Sequence, residues 1–180
     1  MVSMIIAALL CAIGIVIPMF CPKIVIGPAS FTLASHVPIF IAMFISPPVA
    51  IIVSLGTTLG FFMAGFPLVI VLRALTHVIF ATIGAFLLKK NPRLISGTVT
   101  TTLFGLGLGV IHAACEVLVV TYFFFGGQMS KSFYTNGYIM SVLLLIGLGG
   151  LVHSMVDYGI SLAVWKPLTH AVLKPKSISE

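Results

Sequence analysis

The sequence predicts an all-α membrane protein: a bundle of six transmembrane helices with both termini in the cytoplasm. Three observations predict it. The 180 residues are 60% hydrophobic and 7% charged, with a mean hydropathy of +1.28, too little charge to cover a soluble domain of this size. A span takes about 20 apolar residues, so six fit with short loops and no room for a separate nucleotide-binding domain. With six spans, Lys89, Lys90, Arg93, Lys166, Lys174 and Lys176 fall on the side of the termini, and Lys23 and Lys131 on the other. The positive-inside rule then sets the orientation. Residues 1–166 are expected to form one membrane domain and 167–180 a cytoplasmic tail. The net charge of +6 is spent on this topology signal, which excludes nucleic acid as a partner.

Span one is expected over Ser3–Phe20. It has no basic residue before Lys23 and no small-residue cleavage site, so it reads as a retained span. Ala7, Ala8, Ala12 and Gly14 give it a small-residue surface, with Ala8 and Ala12 in A-x-x-x-A spacing, which suits close approach of another helix. Lys23–Ser30 is a loop around Gly27 and Pro28. Span two is short, Phe31–Ile45, with His36 about five residues inside it. Ser46-Pro47-Pro48 breaks the chain. Span three, Val49–Met63, holds Gly56, Thr57, Thr58 and Gly60, residues suited to helix contact. After the turn at Ala64–Pro67, span four covers Leu68–Leu88 and carries Arg73 and His77 on one face. An arginine within a membrane helix faces a cavity or a partner.

Span five, Gly97–Phe125, contains Gly105, Gly107 and Gly109. No strand precedes this G-x-G-x-G, so it is a packing surface and no phosphate-binding turn. His112 and Glu116 follow, four apart. Gly126–Thr135 is a polar loop. Span six, Asn136–Trp165, carries Gly147, Gly149, Gly150, His153 and Asp157. Cys11, Cys21 and Cys115 follow no disulfide or metal-ligand spacing.

Depth, counted at about 1.5 Å per residue, gathers the polar residues. His36, Arg73, His77, Glu116 and His112 fall roughly 8–20 Å below the outer surface. Asn136 and Tyr138 open span six on that side. The expected result is an outward-facing polar pocket without metal or cofactor, with Phe31, Phe66, Tyr122, Phe123, Phe124, Phe125, Phe133 and Tyr134 nearby, most as an interfacial belt. His153 and Asp157, counted from the inner end, lie roughly 15 Å from Glu116 along the membrane normal. They are expected to form a separate structural pair.

The six short spans, the inside termini, Ala8 and Ala12, and the segment PASFTLASHVPIFIAMFISPPVAIIVSLGTTLGFF from Pro28 to Phe62 resemble the substrate-binding S components of energy-coupling factor (ECF) vitamin importers. Many members place a glycine soon after the proline opening span three; here Val49-Ala50 follow Pro47-Pro48. The resemblance implies a non-catalytic subunit that captures a vitamin from outside, in a pocket formed by spans four to six and capped by the loop after span one. It implies docking through Ala8 and Ala12 onto a transmembrane coupling subunit driven by two ATPase subunits, then toppling and inward release. Arg73, His77, His112, Glu116, Asn136 and Tyr138 become its pocket candidates. If Arg73 pairs with Glu116, the pocket suits a neutral heteroaromatic ring; if Arg73 is free, it suits a carboxylate. Hydroxymethylpyrimidine or pyridoxine is expected first and niacin next. The competing readings are a stand-alone secondary transporter or channel and a membrane-embedded enzyme using His112 and Glu116.

Overall fold

In the computed structural model, residues 2–26 and 29–172 are described. Helix α1 (Val2–Phe20) leads into strands β1 (Lys23–Ile26) and β2 (Ala29–Thr32). Then follow α2 (Val37–Ile45), α3 (Pro47–Met63), α4 (Leu68–Lys90), a 3-10 turn (Pro92–Ile95), α5 (Thr98–Phe125), a short α6 (Lys131–Thr135), a π-helical segment (Ile139–Leu148) and α7 (Gly149–Val172). Four stretches are long and apolar enough to cross a membrane: Ser3–Phe20, Leu68–Lys90, Thr98–Phe125 and Ile139–Thr169. Helix α3, at 17 residues, is apolar but shorter. Large apolar side chains such as Met4, Leu9, Leu59, Leu103, Leu118 and Val152 are exposed along these helices, as a lipid-facing surface requires.

The greatest departure from expectation lies between residues 23 and 45. The segment expected as a loop and the first third of span two fold instead as an antiparallel hairpin, with Lys23 opposite Thr32 and Ile26 opposite Ala29. Residues 33–36 turn, and α2 begins only at Val37. Pro38 occupies the first turn of α2, where a missing N–H costs nothing. His36 is therefore the residue before α2 and no part of a span. Nine residues of helix reach about 13 Å, less than half a bilayer. Val37 to Met43 are all buried, which makes α2 a central peg enclosed on every side.

The main core surrounds that peg. Phe40 packs on Phe80 and Tyr158, and Phe44 on Tyr158 and Trp165. Gly105 of α5 lies against the Tyr158 ring, so closely that a Cβ there would collide with it. Gly109 is held similarly against Leu151, while Gly107 meets nothing. Two of the three glycines in the G-x-G-x-G run are thus packing glycines. Helix α1 buries Ala7, Leu10, Gly14 and Pro18 along one stripe and leaves Ala8 and Ala12 exposed with Ile5, Leu9 and Ile13. The expected tail at 167–180 is helical as far as Val172; Lys174 and Lys176 lie outside the described residues.

Candidate functional site

At the hairpin end of the bundle lies a cavity of about 130 Å³. Its lining mixes apolar side chains, Ile39, Phe61, Phe66, Ile70 and Ala74, with polar ones, His36, Arg73, His77, Glu116 and His153, and Lys23 joins from β1. The walls come from more elements than expected. Besides α4, α5 and α7, the cavity touches α1 through Pro18, α3 through Thr57 and Phe61, and β2 through Phe31 and Thr32.

Arg73 and Glu116 pair across α4 and α5. Arg73 Nε donates to Glu116 Oε1 at 3.1 Å and Nη2 to Oε2 at 3.0 Å. This fork-to-fork geometry spends two of the guanidinium's five N–H groups. The remaining three have no protein acceptor among the described residues, and the side chain keeps 22% of its surface exposed. Arg73 thus pairs with the carboxylate along one edge and offers the other to the cavity. The two options left open by the sequence are compatible.

His36, His77 and His112 cluster beneath Glu116, with ring centroids 4.7–4.9 Å apart. His36 and His77 reach the cavity; His112 is 1% exposed and lies behind its wall. Asn136 and Tyr138 do not join them. Asn136 is exposed and donates to the Ser132 carbonyl at 3.1 Å. Tyr138 shares a hydrogen bond with Thr121 at 2.9 Å and packs on Phe124 and Phe125. Asn136 sits in the turn after α6 and Tyr138 just before the π-helical segment, and both make their contacts away from the cavity. Of the nearby aromatics, Phe31 and Phe66 line the cavity, whereas Tyr122 and Phe125 are more than 70% exposed.

The separation expected between Glu116 and the His153–Asp157 pair is overturned. His153 lines the same cavity as Glu116, its ring 5.0 Å from that of His36. Asp157 accepts from His36 Nδ1 at 3.0 Å. Counting inward from Trp165 misplaced both, because the last helix runs on to Val172 and the residue it sets opposite Glu116 is Gly150. A Cβ at Gly150 would stand 3.5 Å from Glu116 Oε2, and one at Gly149 3.1 Å from the Phe31 ring. These glycines let α7 approach the site closely, and Gly149-Gly150 before His153 was the readable signal.

Asp157, wholly buried, grips the turn before α2. Its Oδ1 accepts the Ala34 N–H at 2.8 Å, and its Oδ2 accepts the His36 N–H at 2.9 Å and the Ser35 hydroxyl at 3.4 Å. Ala34 is held at φ 66°, a left-handed conformation uncommon for alanine. A carboxylate accepts only, so His36 Nδ1 must carry a proton and donate it.

The niacin transporter NiaX of Lactococcus lactis subsp. cremoris is 47% identical to this chain over 171 residues, covering 94% of the chain and 75% of the transporter. No family model and no solved structure matches the chain.

Proposed function

The chain belongs to the S-component family of ECF vitamin importers, in the branch of that niacin transporter, and we propose that it captures niacin at the outer face of a bacterial cell membrane. The family is one of non-catalytic transport subunits, so no turnover is asked of the histidines and carboxylates around the cavity. The observation that carries the substrate is the half-spent Arg73 guanidinium beside a small, partly apolar cavity. A pyridine carboxylate needs one bidentate cation and one flat slot. Arg73 supplies donors for the carboxylate. Phe61 and Phe66, stacked at 4.7 Å, belong to the apolar part of the lining, against which a ring can lie. Lys23, in no ion pair among the described residues, adds positive charge to the lining that attracts an anion. This reasoning moves niacin ahead of hydroxymethylpyrimidine and pyridoxine.

In this reading the chain crosses the membrane six times, with α2 as a half-length inner span and both termini cytoplasmic. The hairpin end faces outward. The exposed Ala8–Ala12 face of α1 docks on the transmembrane coupling subunit, two ATPase subunits supply the energy, and the subunit topples to release its vitamin inward. Calorimetric titration of the purified chain tests the substrate. A stoichiometric site for niacin is expected; binding of pyridoxine or hydroxymethylpyrimidine with none of niacin would reverse the assignment. Ala8→Trp tests the docking face, since a bulky side chain prevents close helix approach. It is expected to abolish uptake in cells with the coupling module while leaving niacin affinity intact. Normal uptake by that variant would remove α1 from the docking surface.

A further inference from the structure

The cavity floor holds more imidazole than a carboxylate site requires. His77 and His112, 7% and 1% exposed, have no hydrogen-bond partner among the described residues on any of their four ring nitrogens. Leaving a buried polar group unpaired costs about 1–3 kcal/mol, so such a cluster calls for something to fill it. Nε2 of His77 lies 3.6 Å from Glu116 Oε1, and Nε2 of His112 lies 3.5 Å from the same oxygen. These distances are too long for good N–H···O bonds. They are close to the roughly 3.3–3.4 Å between two ligands that each stand about 2.0–2.1 Å from a tetrahedral ion.

The third imidazole is prepared for the same task. His36 gives its Nδ1 proton to Asp157, which leaves Nε2 with the lone pair. A carboxylate fixing the far nitrogen of a histidine in this way is the usual outer-shell arrangement around a metal-ligating imidazole. One ligand atom from each of His36, His77, His112 and Glu116 lies within 4.8 Å of all the others. Glu116 has oxygens for both duties: Oε2 stays with Arg73 Nη2 while Oε1 faces the histidines.

The geometry points to a divalent transition-metal site beneath the cavity, of the nitrogen-rich kind that takes zinc, with His36, His77, His112 and Glu116 as ligands. Three imidazoles and one carboxylate complete a tetrahedral shell. The ion ties the turn before α2 to α4 and α5, as a structural metal does. This assignment goes beyond vitamin capture and does not depend on it.

The test uses the full chain, purified through a tag without histidines and stripped with a chelator. Cobalt(II) is titrated in and followed by its visible ligand-field absorption. One equivalent with the intense bands of four-coordinate cobalt, displaced by zinc, is the expected result. His77→Gln and His112→Gln are each expected to weaken cobalt binding at least tenfold. The weak spectrum of hydrated cobalt with the unsubstituted chain overturns the proposal, and so does equal affinity in variants that unfold at the original temperature. Should the variants not fold, the spectrum of the unsubstituted chain decides alone. Niacin titrations on stripped and reloaded protein are scored separately, so a failed metal site leaves the vitamin reading standing, and the reverse.

Discussion

Two buried carboxylates border one cluster of imidazoles in this bundle and are held in opposite ways. Glu116 is surrounded by side chains: one guanidinium and two imidazoles with unpaired nitrogens, beside an open cavity. Asp157 is saturated by the turn it holds: two backbone N–H groups, a hydroxyl and one imidazole proton, with none of its own surface exposed. A carboxylate saturated by its own fold has nothing left to offer a ligand. One that shares its charge with a half-free arginine does. The difference separates the part that holds the fold from the part that lines the cavity, although both lie within one polar cluster.

The comparison can be broken most forcefully at Asp157. Asp157→Ala strands the four donors that it accepts from and releases Ala34 from its left-handed turn. The expected loss is about 3–5 kcal/mol of stability, read as a large drop in the unfolding midpoint in detergent. A midpoint within error of the original would mean that the turn holds itself. Next comes Arg73→Ala, which attacks the other carboxylate. At least tenfold weaker niacin binding is expected, about 1.4 kcal/mol or more, and unchanged affinity would remove Arg73 from the site. The smallest effect belongs to a residue outside both clusters. Tyr138→Phe removes the bond to Thr121, costs about 0.5–1.5 kcal/mol, and leaves niacin affinity within about twofold, since the structure turns Tyr138 away from the cavity. A tenfold loss there would extend the site towards α6.

Much of the fold was legible where apolar length alone decides the outcome. The long spans at Leu68–Lys90 and Thr98–Phe125 fall within two residues of their expected bounds, because lipid forces every backbone group into a helix. The chain around Phe31 was not legible in that way. The protein buries Ala29, Phe31, Thr32 and His36 against the bundle, so their backbone can pair and turn without lipid around it, and strand and turn become available. Thr32, Ser35 and Pro38 marked that break. Arg73, His77 and Glu116, expected at one depth, do line one cavity, with His112 packed against the His36 and His77 rings. Direction around a helix was not legible: Asn136 and Tyr138 make their contacts away from that cavity, and Ser35, Thr57, Phe61 and His153 join its lining. Asp157 was missed as the anchor of α2 because two of its partners are backbone amides, which every residue possesses and no sequence advertises, and the other two, Ser35 and His36, lie more than 120 residues away in the chain.

The half-length helix α2 has a practical consequence for anyone wishing to change the cargo. Because the peg is fixed from below by its packing and from above by Asp157, the cavity walls are not what keeps it in place. Ile70 on α4 and Phe66 before it, both only partly buried, are the tiles to exchange, while the buried Ala74 and Phe61, the turn at 33–36 and its carboxylate anchor are the masonry to leave untouched.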